Sequence, residues 1–297
     1  TPAERGLAWL QSRGQADGAI QGEAASIATP PQVRSEVLRT LGRHATAPAS
    51  LVVSVAQPVE RNAEFLARQI LALHATGQPV TALADSLLVL QRSDGGWGLA
   101  EGYESDPLDT ALAWKAVVAA GRGTAAQHSA AIARLAASRL AGGAWGVNTT
   151  ASIYMTSAVL DAAESYADPS ADSLASAALS GLLALRAGGQ FGGTLENSVA
   201  FLAMFDPSAS DANVVPLLDA IRAAQDADGS WGQDPFVTAL AARALATWDA
   251  AGAGVRGVIV HSTTQVPLVG INVSVGSVPA LSGTTDTSGQ FVLTGAR

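Results

Sequence analysis

The chain has 297 residues and a formal net charge of −8, with 48% hydrophobic and 14% charged residues and no cysteine. That length suits one large domain with a smaller companion. An acidic chain with scattered arginines and a single lysine, Lys115, lacks the basic face that nucleic-acid binding needs. Without cysteine there are no disulfides, thiolate metal sites or cysteine nucleophiles. No uninterrupted apolar run reaches the ~20 residues of a membrane-spanning helix.

Taken in chain order, the first helix is expected over 3–12. It is followed by Gln15-Ala16-Asp17-Gly18-Ala19-Ile20, a degenerate copy of a loop that recurs further on. Alanine- and leucine-rich stretches of helical period predict helices over 29–42, 46–56, 60–76 and 79–91. A full loop then reads Gln91-Arg92-Ser93-Asp94-Gly95-Gly96-Trp97-Gly98, between helices 79–91 and 106–121. After a helix over 124–139 comes Gly142-Gly143-Ala144-Trp145-Gly146, then helices over 149–166 and 169–186. The third copy is Gly188-Gly189-Gln190-Phe191-Gly192-Gly193, followed by helices over 194–205 and 210–225. The last is Gln225-Asp226-Ala227-Asp228-Gly229-Ser230-Trp231-Gly232, before a helix over 234–249. The aromatic position returns at intervals of about 40–50 residues, as in helical repeat architectures. Glycine permits the tight reversal, and the ring fills the seam between neighbouring hairpins. Gly96, Trp97, Gly143, Trp145, Gly189, Phe191, Gly229 and Trp231 are therefore the expected structural loop residues. The fold class expected is mainly α: an α/α toroid of about six helix hairpins over 1–250, with a linker over 251–254.

Past residue 254 the helical period stops and β-branched alternation begins. Strands are expected at Val255–Val260, Gly270–Val275, Gly283–Asp286 and Gly289–Leu293, with Pro267, Pro279 and Asp286–Gly289 marking turns.

The glycine–tryptophan loops and their flanking helices resemble the repeats of squalene–hopene cyclases and protein prenyltransferase β subunits. The thioester domains of complement and bacterial α-macroglobulins share the same toroid. The segment 255–297 resembles the start of a carboxypeptidase-regulatory-like, transthyretin-type β sandwich through Val255, Gly257, Val260, Pro267, Leu268, Gly270, Val273, Val275, Thr285, Asp286, Gly289, Phe291 and Leu293. A full sandwich wants around seven strands, so the segment is expected to be incomplete. That resemblance implies a multidomain surface or secreted protein. The N-terminus Thr1-Pro2-Ala3 is read the same way, as the product of signal-peptide removal.

Each resembled family needs particular chemistry. Class II cyclases protonate an alkene or epoxide with the middle Asp of DxDD, and the nearest stretch here is Asp106-Pro107-Leu108-Asp109. Leu108 stands at the donor position and cannot give a proton. Prenyltransferases use a zinc site with Cys; there is none here, and His44, His74, His128 and His261 are isolated in sequence. The thioester Cys is absent too. Asp226 and Asp228 suit a structural loop better than a calcium loop, since no bidentate Glu follows. No metal site and no cofactor is expected.

The helices after the glycine loops are expected to be the inner ones, with their first turns gathered at one mouth of the ring. Tyr103, Asp106, Trp114, Asn148, Tyr154 and Asn197 are the binding candidates there. Asp109 with Glu196 is a conceivable acid–base pair. The plainer reading makes these residues ordinary helix caps. Trp114 and Trp248 are candidate sugar-stacking platforms, and the plainer reading places both in the core. The function expected is a non-catalytic binding or structural module that takes a protein or glycan ligand, with neighbouring domains attached. The alternatives are an enzyme acting on a glycan or isoprenoid in the ring, and a component that self-associates by strand addition to 255–297.

Overall fold

A computed structural model of the chain describes residues 1–58, 62–207, 211–251, 255–275 and 281–293. It divides into two compact units, Thr1–Leu245 and Ala246–Arg297.

Twelve α-helices lie among the described residues: α1 Pro2–Ser12, α2 Pro30–His44, α3 Ala49–Val55, α4 Ala63–Ala75, α5 Thr81–Val89, α6 Pro107–Ala119, α7 Ala125–Ala137, α8 Ile153–Ala163, α9 Pro169–Ala184, α10 Thr194–Met204, α11 Val215–Ala223 and α12 Pro235–Ala251. Their starts follow from local chemistry. Thr1 and Thr124 form reciprocal capping boxes with Glu4 and Gln127. Asp106, Ser152 and Asp168 cap α6, α8 and α9 through their side-chain oxygens, and proline opens α1, α2, α6, α9, α11 and α12.

The even-numbered helices line the inside. Each of α2, α4, α6 and α8 packs on the next, and α8 on α10. The ring comes back on itself where the Thr40 hydroxyl of α2 donates to the Ala239 carbonyl of α12 at 3.0 Å. Small residues permit the crowding: Ala67, Ala111, Ala162, Ala200 and Ala239 are fully or almost fully buried.

One clip recurs in the glycine loops. The indole N–H of Trp97, Trp145 and Trp231 donates to the carbonyls of Leu87, Leu135 and Ile221, each ten residues upstream, at 2.8, 2.8 and 2.7 Å. The backbone N–H of each Trp donates to the Thr110, Thr156 or Thr238 hydroxyl of the following inner helix, at 3.0–3.1 Å. In the third copy Phe191 replaces Trp and Asn197 replaces Thr, and the Phe191 N–H donates to Asn197 Oδ1 at 2.9 Å. In the degenerate first copy Ile20 is buried and its N–H donates to Glu23 Oε2 at 3.0 Å. Glycine is required where the loop meets the next outer helix. Gly95 has φ +87°, and a Cβ there would stand 2.4 Å from the Ala130 carbonyl oxygen.

The same clip closes the ring. The Gln91 amide bridges the carbonyls of Gly95 and Gln127, the latter at the start of α7. The Gln225 amide bridges Gly229 and Pro2 in the same manner, so α1 stands to the last loop as α7 stands to an earlier one. Arg5 donates to Gln225, and Trp9 to Asp228 at 3.1 Å.

Expected boundaries shift at several places: the helix expected over 210–225 begins at Val215, and two further shifts have a clear local cause. The helix expected over 149–166 begins at Ile153, because β1 (Gly146–Val147) and β2 (Thr150–Ala151) pair across a two-residue turn at Asn148, whose φ is +54°. The helix expected over 46–56 is shortened to α3, since Pro48 sits in extended conformation at its N-cap.

In the second unit, β3 (Val255–Val258) pairs antiparallel with β6 (Gln290–Leu293), and β4 (Asn272–Val275) with β5 (Leu281–Thr284). These are two short ladders among the described residues, and the expected β sandwich is not formed by them. Their surroundings are open: Val266, Val269 and Ile271 are exposed. The strand expected over 283–286 runs over 281–284 instead. Thr285 leaves the ladder, its hydroxyl accepting from the Ile271 N–H and donating to the Leu268 carbonyl. Past Ala251 the expected linker lies outside the described residues, as does the turn expected at Pro279.

Candidate functional site

All six inner helices contribute to a small cavity on the axis of the ring, about 50 Å³. Part of its wall is apolar: Ala111, Leu112, Ala158, Val199, Leu202 and Leu240. The rest is charged, which inner helices of this composition do not announce. Arg39, Arg68, Lys115 and Arg243 face it together with Glu36 and Asp161.

Arg68 organises one side. Its Nε donates to Glu64 Oε1 at 2.8 Å and its Nη2 to the Tyr154 phenol oxygen at 2.9 Å, and its Nη1 lies 3.6 Å from Glu36 Oε2. Gln32 donates to the same Glu64 oxygen at 2.8 Å. Arg243 pairs with Glu36, and Lys115 with Asp161. Arg39 is 8% exposed yet makes no hydrogen bond or ion pair among the described residues, and its Nε is an orphan. The Ser157 hydroxyl, in a residue 2% exposed, is also unpartnered.

The titration of these groups follows from crowding. Burial pushes Glu36 up, but Arg243, Arg39 and Arg68 together outweigh it and hold the carboxyl below its usual range. Asp161 is likewise held down, Lys115 and Arg39 outweighing burial. Burial pulls Lys115 down to about 8 against the opposing pull of Asp161, and Arg243 down to about 10. Burial lowers Arg68 as well, but Tyr154, Glu64 and Glu36 overcome it and leave that guanidinium raised.

Asp109, on the first turn of α6, behaves in the opposite way. It is 4% exposed. Burial, a hydrogen bond with Asp106, and the negative charges of Asp106 and Glu64 push its carboxyl up to about 9, against the pull of Arg68. It is thus a neutral carboxylic acid at pH 7, within one turn of Ala111 and Leu112 of the cavity wall and not itself in that wall.

The remaining expected site residues are dispersed. Asp106 caps α6, accepting from the Leu108 and Asp109 N–H groups. Tyr154 reaches the cavity. Tyr103 is 59% exposed, and Asn148 turns the β1–β2 hairpin. Trp114 is fully buried away from the cavity, its indole N–H donating to His128 Nδ1 at 3.1 Å and its ring edge-on to Tyr166. Asn197 braces the Phe191 loop. Glu196 caps α10 through the Gly193 N–H and lines a separate groove with Trp231 and Asp234, to which Asp109 does not contribute. The structure therefore does not assemble Asp109 and Glu196 into one site. Asp228 and Asp226 spend their oxygens on the Ser230 and Gly232 N–H groups. Among the described residues no group of three or more His, Asp or Glu side chains is placed to hold a metal, and no helix is long and apolar enough to cross a membrane.

Glu36, Arg39, Arg68, Lys115, Asp161 and Arg243 were not among the sequence candidates. For Asp161 and Arg243 the signal is a lone charge inside an apolar helical stretch, Val159-Leu160-Asp161-Ala162 and Ala241-Ala242-Arg243-Ala244; Glu36 and Arg39, in the charged stretch Arg34–Arg39, carry no such signal.

No protein-family model matches the chain, and no curated protein matches it. Solved structures do. The chain is similar to the type II terpene cyclase MstE from Scytonema in its apo form, at 13% identity and a TM-score of 0.62, with 84% of this chain and 98% of that one covered. It is equally similar to an MstE variant in complex with its substrate geranylgeranyl dihydroxybenzoate, at 13% identity and a TM-score of 0.62, over 83% of this chain and 96% of that one. It is also similar to ent-copalyl diphosphate synthase from Streptomyces platensis, at 20% identity and a TM-score of 0.57, over 73% of this chain and 50% of that one. These likenesses correct the expectation of a non-catalytic binding or structural module, and with it the leaning away from an enzyme. The ring is one that catalysts use, and one of them holds its substrate. The expectation leaned on Leu108 at the donor position, which removes one residue from one role and leaves the neighbouring acid in place. By fold, the first unit is an α/α toroid of the kind found in type II terpene cyclases.

Proposed function

We propose that the toroid is an enzyme acting on an isoprenoid substrate by acid catalysis, with Asp109 as the proton donor. The observation that carries the reading is a carboxyl buried on the first turn of an inner helix and held protonated at neutral pH by burial and Asp106. Such a group is loaded for delivery to an alkene or epoxide carbon. Arg68 stands close enough to favour the carboxylate left after transfer. Leu112, Val199, Leu202 and Leu240 supply the apolar surface a hydrocarbon chain needs, and seating one requires the cavity to widen well beyond its about 50 Å³. Likeness of fold to a cyclase, MstE, that holds geranylgeranyl dihydroxybenzoate as substrate supports the choice of substrate class. The donor differs from the cyclase pattern by one position, Asp109 taking the part that Leu108 cannot.

The test is incubation of the purified protein with acyclic C15, C20 and C30 isoprenoids, as diphosphates, prenylated aromatics and hydrocarbons, with products separated by gas chromatography and mass spectrometry. The expected result is a cyclised or hydrated product, lost in Asp109→Asn. Turnover by Asp109→Asn equal to wild type, or no consumption of any of these substrates, refutes the assignment.

A further inference from the structure

We propose that His128 is an acid-sensitive latch: its neutral imidazole fastens the outer helix α7 to the inner helix α6 through Trp114, and a further proton on that ring releases the pair. Such a latch operates whether or not Asp109 is a proton donor.

The Trp114 side chain is fully buried, and its indole N–H donates to His128 Nδ1 at 3.1 Å. An indole nitrogen can only donate. Nδ1 therefore carries a lone pair, and the hydrogen of the neutral ring is on Nε2. Neighbours hold the ring on its other sides. Tyr166, just past α8, lies against it with centroids 4.6 Å apart and meets Trp114 edge-on at 5.9 Å. Gly123 passes so close that a Cβ there would stand 2.9 Å from His128 Nε2.

A second proton on the imidazole must go to Nδ1, where it points at the indole N–H. Two donors then face one another with no acceptor between them, and the contact breaks. The Trp114 N–H is left as a buried donor without a partner, a state native folds avoid. His128 is 7% exposed and stands near the start of α7, so the charged ring has a short way to water.

The surrounding charges do not hold the proton in place. Lys115 of α6 is turned to Asp161 of α8, Asp109 of α6 to Asp106, Arg122 of the preceding loop to Asp85, Arg134 of α7 to Asp94, and Asp168 at the cap of α9 to the Ser170 N–H. Glu164 after α8 and Asp172 of α9 are exposed. Burial keeps the imidazole below its ordinary range, and the Arg122 carbonyl, which favours the charged form, does not offset it. The unfolded chain takes up this proton at higher pH than the fold does. The neutral ring thus contributes stability that is complete above the ordinary value of 6.5 and is lost as pH falls below it.

Release reaches the cavity from its outer side. Trp114 stands two residues after Leu112 and immediately before Lys115, and both of those line the wall.

The test is thermal unfolding of wild type, His128→Asn and Trp114→Phe between pH 7.5 and pH 5, with the indole N–H resonances followed by proton NMR. Asparagine offers Trp114 an acceptor that does not titrate, and the effects of other groups cancel in the comparison. His128→Asn should melt below wild type at pH 7.5, having lost the Tyr166 contact. That gap should close by ~3 °C or more at pH 5, which corresponds to about a tenfold change in the folding equilibrium. Trp114→Phe removes the opposing donor, so it too should lose less on acidification than wild type. The Trp114 resonance, identified by its absence from Trp114→Phe, should shift or broaden in wild type before the fold melts and return at pH 7.5. Those of Trp97, Trp145 and Trp231, which donate to backbone carbonyls, should stay in place. Parallel melting curves for wild type and His128→Asn overturn the latch. So does a Trp114 resonance that holds still until the fold melts, or one that moves equally in His128→Asn. If the asparagine protein does not fold, Trp114→Phe decides: acid losses as steep as those of wild type overturn the proposal.

Discussion

Replacing Thr156 by Val tests the clip that builds the ring. The two side chains have nearly the same shape and similar helix propensity, so the change opens no cavity and leaves α8 intact. The Thr156 hydroxyl accepts from the Trp145 N–H at 3.0 Å inside the fold. The Trp145 carbonyl keeps a second partner, the Ser152 N–H at 2.8 Å, so only one backbone donor is orphaned. Leaving a buried N–H unsatisfied costs about 1–3 kcal/mol. For a unit of this size each kcal/mol lowers the melting temperature by roughly 2–4 °C. Thermal and urea unfolding followed by tryptophan fluorescence should place Thr156→Val about 2–12 °C below wild type. Thr156→Ser keeps the hydroxyl and should lose much less. Thr110→Val and Thr238→Val should match Thr156→Val, since they orphan the equivalent N–H groups of Trp97 and Trp231. A Thr156→Val protein within about 0.5 kcal/mol of wild type, the range of ordinary surface changes, would refute the clip as a source of stability.

Asp109→Asn should raise stability increasingly with pH. The folded carboxyl binds its proton up to about 9, against an ordinary value of 3.8. The folded state therefore binds more protons than the unfolded chain between those values, and this group costs stability as pH rises through that window, by at most about 1.4 kcal/mol per pH unit. Denaturant titrations at pH 5 and pH 8 should diverge for wild type and converge for the variant once Lys115 is allowed for. The Lys115 contribution has the opposite sign: its folded value of about 8 lies below the ordinary 10.5, so stability recovers from about pH 8 upward. Turnover that depends on protonated Asp109 should fall off above about pH 9, and a flat pH–rate profile from 6 to 10 would count against the donor. Gly229→Ala should destabilise by more than Gly102→Ala in equilibrium unfolding. Both glycines have φ near +90°, but a Cβ at Gly229 meets the Arg5 carbonyl oxygen at 2.8 Å, whereas at Gly102 it meets nothing within 4 Å.

The loops were legible in the sequence because glycine and a bulky aromatic leave few physical alternatives. Gly143, Gly189 and Gly229 adopt positive φ as expected, whereas in the 91–98 loop it is Gly95 and not the expected Gly96 that does; Trp97, Trp145, Phe191 and Trp231 are all buried. The hairpin at Gly146–Ala151 was not legible, since it turns on Asn148, a polar residue equally at home in a helix cap. The threonines hid in plain sight: a Thr in a first turn reads as a cap, and its bond to a Trp N–H 7 to 13 residues earlier exists only once the loop has folded back. Asp109 stands out in the sequence as a candidate acid, but only helix register pairs Glu196 with it. In the fold Glu196 is committed to the Gly193 N–H of its own helix. The charged cavity was the larger omission. Apart from Glu36 and Arg39, which share α2, each of its charged residues comes from a different helix, and only closure of six helices around an axis makes them neighbours.

That closure has a consequence for biosynthesis. Helix α1 is made before the rest of the ring, with Leu7, Trp9 and Leu10 already committed to burial. The groups that receive it, Gln225, Asp228 and the Trp231 ring against Gly6, emerge more than two hundred residues later. An open solenoid can shield its first repeat with a dedicated polar cap, whereas here the opening turn must wait, greasy side uncovered, for nearly the entire unit to leave the ribosome. The nascent chain is thus most prone to wrong partners just before its final hairpin appears.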